Sequence, residues 1–123
     1  MKLLMTLIAS AVLTIFPSDI ESLVTSNELV NSAECIVYAD TVIVALRTEP
    51  IFFRSERLKL TEDLKAGIKE RYDVREIIIT FDKDIYYKIT KIDAERAKGV
   101  AEEKIRNDII SLIETVRYRG DLI

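Results

Sequence analysis

The sequence predicts an α+β fold in which helices pack on a small three-stranded sheet, with a long carboxyl-terminal helix. Two runs rich in β-branched and apolar residues, 35–38 and 41–46, flank Ala39-Asp40, which is typical of a hairpin. A third apolar run follows at 76–81. Between and after these runs, apolar residues recur at three- and four-residue spacings, which indicates amphipathic helices.

The amino end predicts a leader over residues 1–26, signal-like or membrane-anchoring, ahead of a single α+β domain over residues 27–123. Lys2 precedes an apolar run of about 14 residues, shorter than the roughly 20 that a membrane span needs. Residues 24–26 are a candidate cleavage site. The alternative is a buried amino-terminal helix of a cytosolic protein. No Cys follows the apolar run, so the sequence shows no lipid attachment site there.

The composition of the chain argues against several classes of function. The net charge of -3 argues against nucleic acid as a partner, because phosphate binding needs a concentrated basic face. The chain has no His, which removes the commonest general base and metal ligand. Its single Cys35 falls in a predicted strand, where an inert buried thiol is favoured over a reactive one.

The hairpin is the centre of the predicted fold, and its second strand has two apolar faces. A short amphipathic helix within residues 19–31 is expected to precede it. A hairpin alone is marginal in water, so other elements must cover it. One face carries Val42, Val44 and Leu46, and the other carries Thr41, Ile43 and Ala45.

The segment after the hairpin is predicted to be a loop, because Pro50 cannot donate to a strand ladder. It carries Ile51, Phe52 and Phe53. We expect the two rings to fold back over the open end of the core, since most apolar loop residues are covered. The alternative is an exposed apolar patch for a membrane or a protein partner.

A helix is predicted over residues 61–72, with Thr61 as its N-cap and Leu64, Ile68 and Tyr72 as its apolar stripe. The following run at 76–81 is apolar on both faces. That pattern predicts a central strand that is buried on both sides.

The rest of the chain predicts two helices separated by a break at Gly99. Asp82 is the expected N-cap of the first, and capping is favoured over a metal site for Asp82 and Asp84, because no third ligand is evident. The second covers residues 100–118. Its apolar stripe consists of Ile105, Ile109, Leu112 and Val116.

No catalytic constellation is visible. The neighbouring carboxylates Glu62-Asp63 and Glu102-Glu103 point in different directions on a helix. The sequence therefore predicts a protein that is not an enzyme, with no catalytic, cofactor-binding or metal-ligating residues and no cofactor.

The order of parts resembles the sporulation lipoproteins of the YhcN/YlaJ type, found in spore-forming bacteria. The likeness covers LVNSAECIVYADTVIVAL, TEDLKAGIKERY, VREIIITFDKDIYYKI and RNDIISLIETV, which together span most of residues 28–118. The matching positions are Ala33, Ile36, Asp40, Val42, Val44, Leu46, Leu64, Ile68, Val74, Ile77, Ile79, Asp84 and Ile89.

The resemblance implies a non-enzymatic spore- or envelope-associated protein with a role in spore formation or germination. It implies an exported, membrane- or spore-associated location, with a membrane surface or a spore-layer protein as partner. The chain departs from the family in lacking a lipidated Cys after the leader. The alternative is a small αββαβ interaction module without a spore role, acting through a sheet edge or the carboxyl-terminal helix. It would be cytoplasmic if the leader is not a signal.

Overall fold

The computed structural model describes residues 15–119 and confirms the α+β fold. Over that range it has four helices and three strands. In chain order they are α1 (Pro17–Thr25), β1 (Val30–Tyr38), β2 (Thr41–Thr48), α2 (Arg54–Arg71), β3 (Glu76–Thr80), α3 (Lys83–Ala97) and α4 (Glu102–Arg119).

The sheet is mixed and has the strand order β1-β2-β3. The predicted hairpin is confirmed, with Cys35 opposite Val44 in an antiparallel ladder. Its turn places Ala39 at φ 53°, so the left-handed residue is Ala39 and not the neighbouring Asp40. β2 then pairs with β3 in parallel, with Val44 opposite Ile79.

The prediction that the third strand is central was wrong, because β2 occupies that position. A parallel pair needs a long crossover, and α2 provides it between β2 and β3. β3 therefore lies at the edge of the sheet. Its run of apolar residues arises because both faces of the sheet are covered by helices.

The two faces of β2 enter two separate cores, as its alternating pattern predicts. The first core joins the face of Val42, Val44 and Leu46 to α1 and α2. The second joins Ile43 and Ala45 to α3 and α4. All six residues 41–46 are buried, so β2 is the strand on which both layers of helices depend.

The helix after the hairpin begins at Arg54, seven residues before the predicted start at Thr61. Thr61 is not an N-cap but lies inside α2, 4% exposed. The preceding residues include good helix formers, and Leu60 extends the buried stripe toward the helix start. The N-cap position is Phe53, whose side chain cannot accept a capping hydrogen bond.

The expectations for the last two helices were confirmed. The Asp82 side chain accepts a hydrogen bond from the Asp84 backbone N–H at 2.8 Å, which makes Asp82 the N-cap of α3. Gly99 separates α3 from α4 and has φ +81°, a conformation that glycine adopts without strain. The predicted stripe of α4 is buried throughout, from Ile105 to Val116.

Helix α1 packs on the same core as the sheet. Its residues Ile20 and Val24 are both 0% exposed and contact the first core. Most of the predicted leader lies outside the described residues, and the division at residue 26 stays a prediction. No helix between residues 15 and 119 is long and apolar enough to cross a membrane.

Candidate functional site

Three carboxyl groups converge at the outer edge of β1. Glu21 comes from α1, Glu34 from β1 and Asp93 from α3, and one oxygen of each lies within 4.8 Å of the others. We call these three residues the carboxylate cluster. Because the helices carrying two of its members pack on opposite faces of the sheet, the cluster joins both layers at one edge.

Glu21 is held in place by the backbone of the edge strand. Its Oε2 accepts a hydrogen bond from the Cys35 backbone N–H at 2.9 Å. A strand at the edge of a sheet has backbone groups without a ladder partner, and a carboxylate satisfies one of them here. Glu34 is two positions from Ile36 and therefore lies on the same face of β1, the face that meets the second core. This position directs Glu34 toward Asp93 on α3.

The cluster holds protons more tightly than free carboxyl groups do. Burial raises the pKa of all three residues, and this desolvation is the largest cause for each. The negative charge of Asp93 raises the pKa of Glu21 further, against the lowering effect of the hydrogen bond from Cys35. Glu34 is raised further by the charges of Glu21 and Asp93 and by its hydrogen bond to Asp93. Carboxyl groups this close share protons instead of ionising independently.

The same three oxygens could contribute to a cation site, but they do not define one. Ca²⁺ takes six to eight oxygen ligands and Mg²⁺ takes six, so the cluster supplies at most part of such a set. One oxygen of Glu21 is already bonded to the backbone of Cys35. The geometry shows three neighbouring carboxyl groups at the place where α1 and α3 meet the edge strand β1.

Sequence reasoning did not find this cluster. The pair it considered as a metal site, Asp82 and Asp84, has other roles, because Asp82 caps α3 and Asp84 pairs with Lys88 at 3.3 Å. Glu21, Glu34 and Asp93 lie far apart along the chain and share no motif. Each of them is next to a buried residue in the chain (Ile20, Cys35 and Ile92), which is too common a pattern to single them out.

A second feature is the pair Phe52-Phe53, which we call the aromatic tip. Phe52 is 85% exposed and Phe53 is 66% exposed. The expectation that both rings cover the core was wrong, because Ile51 packs there instead. Helix α2 begins at Arg54, and its residue Leu60 also packs in the first core. The rings of Phe52 and Phe53 therefore remain exposed to solvent.

The only cysteine of the chain is unsuited to chemistry at the surface. Cys35 is 1% exposed and lies among the apolar residues of the first core. Burial raises the pKa of its thiol well above the usual range, with further contributions from the three carboxylates nearby. The thiol is therefore neutral and inaccessible, as the sequence predicts, and it cannot carry a lipid in the folded protein.

The end of α4 is joined to the sheet through Arg117. The Arg117 guanidinium donates from Nε to Glu76 Oε2 at 3.1 Å and from Nη2 to Glu76 Oε1. The Thr41 hydroxyl also donates to Glu76 Oε1, at 3.1 Å. The hydrogen bond from Arg117 lowers the pKa of Glu76, whereas burial raises the pKa values of the carboxylate cluster.

Comparison with known protein families gives a match over most of the chain. The family model described as sporulation lipoprotein YhcN/YlaJ matches residues 17–117. The matched range begins with α1 and ends within α4, so it includes every strand and both layers of helices. No curated protein matches the chain.

Proposed function

The chain belongs to the YhcN/YlaJ family of sporulation lipoproteins, and from this membership we propose an exported protein of the spore envelope that acts at a membrane surface or spore layer. Its role is in spore formation or germination. The observation that carries the proposal is the family match over residues 17–117, which covers the whole described fold.

We propose that the protein acts without catalysis. The chain has no His, and the Cys35 thiol is buried and neutral. The carboxylate cluster sits against the backbone of an edge strand, and the thiol beside it, Cys35, is only 1% exposed and closed to a substrate. The cluster, the Arg117–Glu76 pair and the two cores are contacts that join helices to the sheet, which suits a binding or structural protein.

Membrane association would need an attachment other than a lipid on Cys35. A thiol that is 1% exposed between a helix and a sheet is closed to a modifying enzyme. The apolar residues of the predicted leader and the exposed aromatic tip are apolar features that could contact a membrane.

The test is deletion of the gene in the native host, followed by measurement of heat-resistant spore yield and of germination. We expect a defect in one of these, restored by the wild-type chain and by Asn31→Asp, an exposed change in β1. Complementation by Val44→Asp, which places a charge in the core, should fail. Normal spores that germinate normally without the gene would contradict the proposal.

A further inference from the structure

We propose that the aromatic tip inserts into the surface of an anionic membrane and sets the orientation of the domain there. This inference rests on the proposed membrane association and adds which face of the protein contacts the lipid. Aromatic side chains at such a surface enter the boundary between headgroups and acyl chains, while neighbouring basic groups meet the lipid phosphates.

The tip is held outward by a fixed base. On one side of it, Ile51 packs against the first core. Before that, the Glu49 backbone N–H donates to the Leu29 carbonyl at 3.1 Å, which ties the loop to the segment before β1. On the other side, α2 begins directly at Arg54. The two rings therefore protrude from an anchored loop and do not belong to an unfolded segment.

The size of the patch favours a lipid surface over a protein partner. A buried aromatic side chain covers roughly 150–250 Å², so two of them fall short of the roughly 800 Å² that each partner buries in a stable protein interface. Among the residues near the tip, Glu49, Arg54 and Glu56 are charged. Leu29 and Leu58, which are 42% and 43% exposed, add only part of a side chain each to the apolar area. A bilayer accepts a small protruding apolar group without a complementary shape.

The charge around the tip also suits anionic lipid. Residues 48–59 contain three basic side chains, Arg54, Arg57 and Lys59, and two acidic ones, Glu49 and Glu56. The preceding Arg47 lies 4.4 Å from the centre of the Tyr86 ring in the other helical layer and does not contribute here. This local excess of positive charge contrasts with the net charge of -3 for the whole chain. Lys59 is paired with Asp63 at 2.9 Å, and the Nε of Arg57 is buried. The exposed Arg54, next to the tip, is therefore the basic side chain best placed to meet a lipid phosphate. The positive end of the α2 dipole adds to the same side.

Two weak contacts of one chain with a membrane reinforce each other. A single apolar anchor binds reversibly, and a second contact converts this into stable attachment. Once another part of the chain is at the membrane, the tip is presented at a high effective concentration. Two phenylalanines with a few basic neighbours are then sufficient to fix one orientation.

The test uses the full chain, which has no Trp, so that one introduced indole reports on one place. Phe52→Trp reports on the tip, and Tyr118→Trp, at a position 89% exposed on α4, is the matched control. Each variant is mixed with vesicles of phosphatidylglycerol and phosphatidylcholine, with and without bromine on the acyl chains. We expect a blue shift at position 52 and quenching by brominated lipid several times that at position 118.

Each other result overturns the inference in a distinct way. If flotation shows the chain on the vesicles while the indole at position 52 remains unshifted and unquenched, the tip is not inserted, and the proposed membrane association survives. If the chain does not float with the vesicles, both proposals fail. A blue shift at position 52 that grows with protein concentration without lipid would assign the tip to a contact between copies of the chain.

Discussion

Glu21 in α1 accepts a hydrogen bond from the Cys35 backbone N–H in β1, with 2.9 Å between Oε2 and N. This bond ties the first described helix to the free edge of the sheet. Together with the burial of Ile20 and Val24, it makes α1 part of the folded domain. Residues 17–25, which fall in the last part of the predicted leader, are therefore fixed to the sheet and do not act as a linker.

The contribution of α1 to the free energy of unfolding predicts that the folded domain must include this helix. Full burial of an apolar side chain contributes about 1.5–3 kcal/mol, so loss of Ile20 and Val24 removes about 3–6 kcal/mol. This is a large share of the roughly 5–15 kcal/mol that stabilises a small domain. A chain starting at residue 27 should therefore unfold at much lower urea than one starting at residue 15. Equal unfolding midpoints would show that α1 is dispensable.

The carboxylate cluster predicts a pH dependence of stability. The folded-state pKa values of Glu21, Glu34 and Asp93 are raised by burial, so the folded protein holds protons that the unfolded chain releases. Their contribution to the free energy of unfolding is present below the ordinary values of 4.5 for Glu and 3.8 for Asp, and is lost as pH rises through the raised values. The pKa of Glu76 is lowered, so its contribution to the free energy of unfolding is present above its ordinary value and is lost as pH falls through the lowered value.

The measurement for the cluster is urea unfolding from below pH 3.8, the ordinary pKa of Asp, up to neutral pH. Glu34→Gln removes one charge from the cluster and should flatten the fall in stability with rising pH. It should also stabilise the protein at neutral pH by up to about 1 kcal/mol, allowing for the solvent screening of a partly exposed group. Glu62→Gln, an exposed change on α2, is the control and should leave the slope unchanged. An unaltered slope for Glu34→Gln would contradict the assignment.

Val44 tests whether β2 is the centre of the fold. It is 0% exposed in the central strand, and Val44→Asp would bury a carboxylate without a partner. We expect loss of cooperative thermal unfolding, followed by circular dichroism. Asn31→Asp introduces the same side chain at an exposed position of β1 and should melt like the wild type. A cooperative melt for Val44→Asp would show that the hairpin is not core.

Cys35 gives a direct probe of burial in the first core. Because its thiol is 1% exposed and its pKa is raised, a thiol reagent such as dithionitrobenzoate should react slowly with the native protein. The reaction should become fast in urea, in step with unfolding. Rapid reaction without urea would place Cys35 at the surface and reopen the question of its modification.

The features that could be predicted from the sequence depend on local periodicity. The alternation in β2 identified both of its faces, and the spacing from Ile105 to Val116 identified the buried stripe of α4. Asp82 was recognisable as a cap because its side chain bonds the backbone two residues on. Each of these depends on neighbours within a few positions, which a sequence displays directly.

The features that could not be predicted depend on distant contacts or on competition between residues. The strand order arises from the crossover through α2, and β3 looked central because helices cover both of its faces. Thr61 is a residue type favoured at an N-cap, but the good helix formers that precede it extend the helix back to Arg54. Phe52 is exposed because Ile51, its neighbour in the chain, packs against the first core.

The most direct measurement is fractionation of sporulating cells of the native host, with a carboxyl-terminal tag on the chain and mass spectrometry of its amino terminus. We expect the tagged chain in the membrane or spore fraction. Its amino terminus should lie at or before Pro17, so that α1 is kept, or retain the leader as an anchor. A chain with an intact Met1 in the cytosol throughout sporulation would contradict an exported spore-envelope protein and favour a cytoplasmic interaction module.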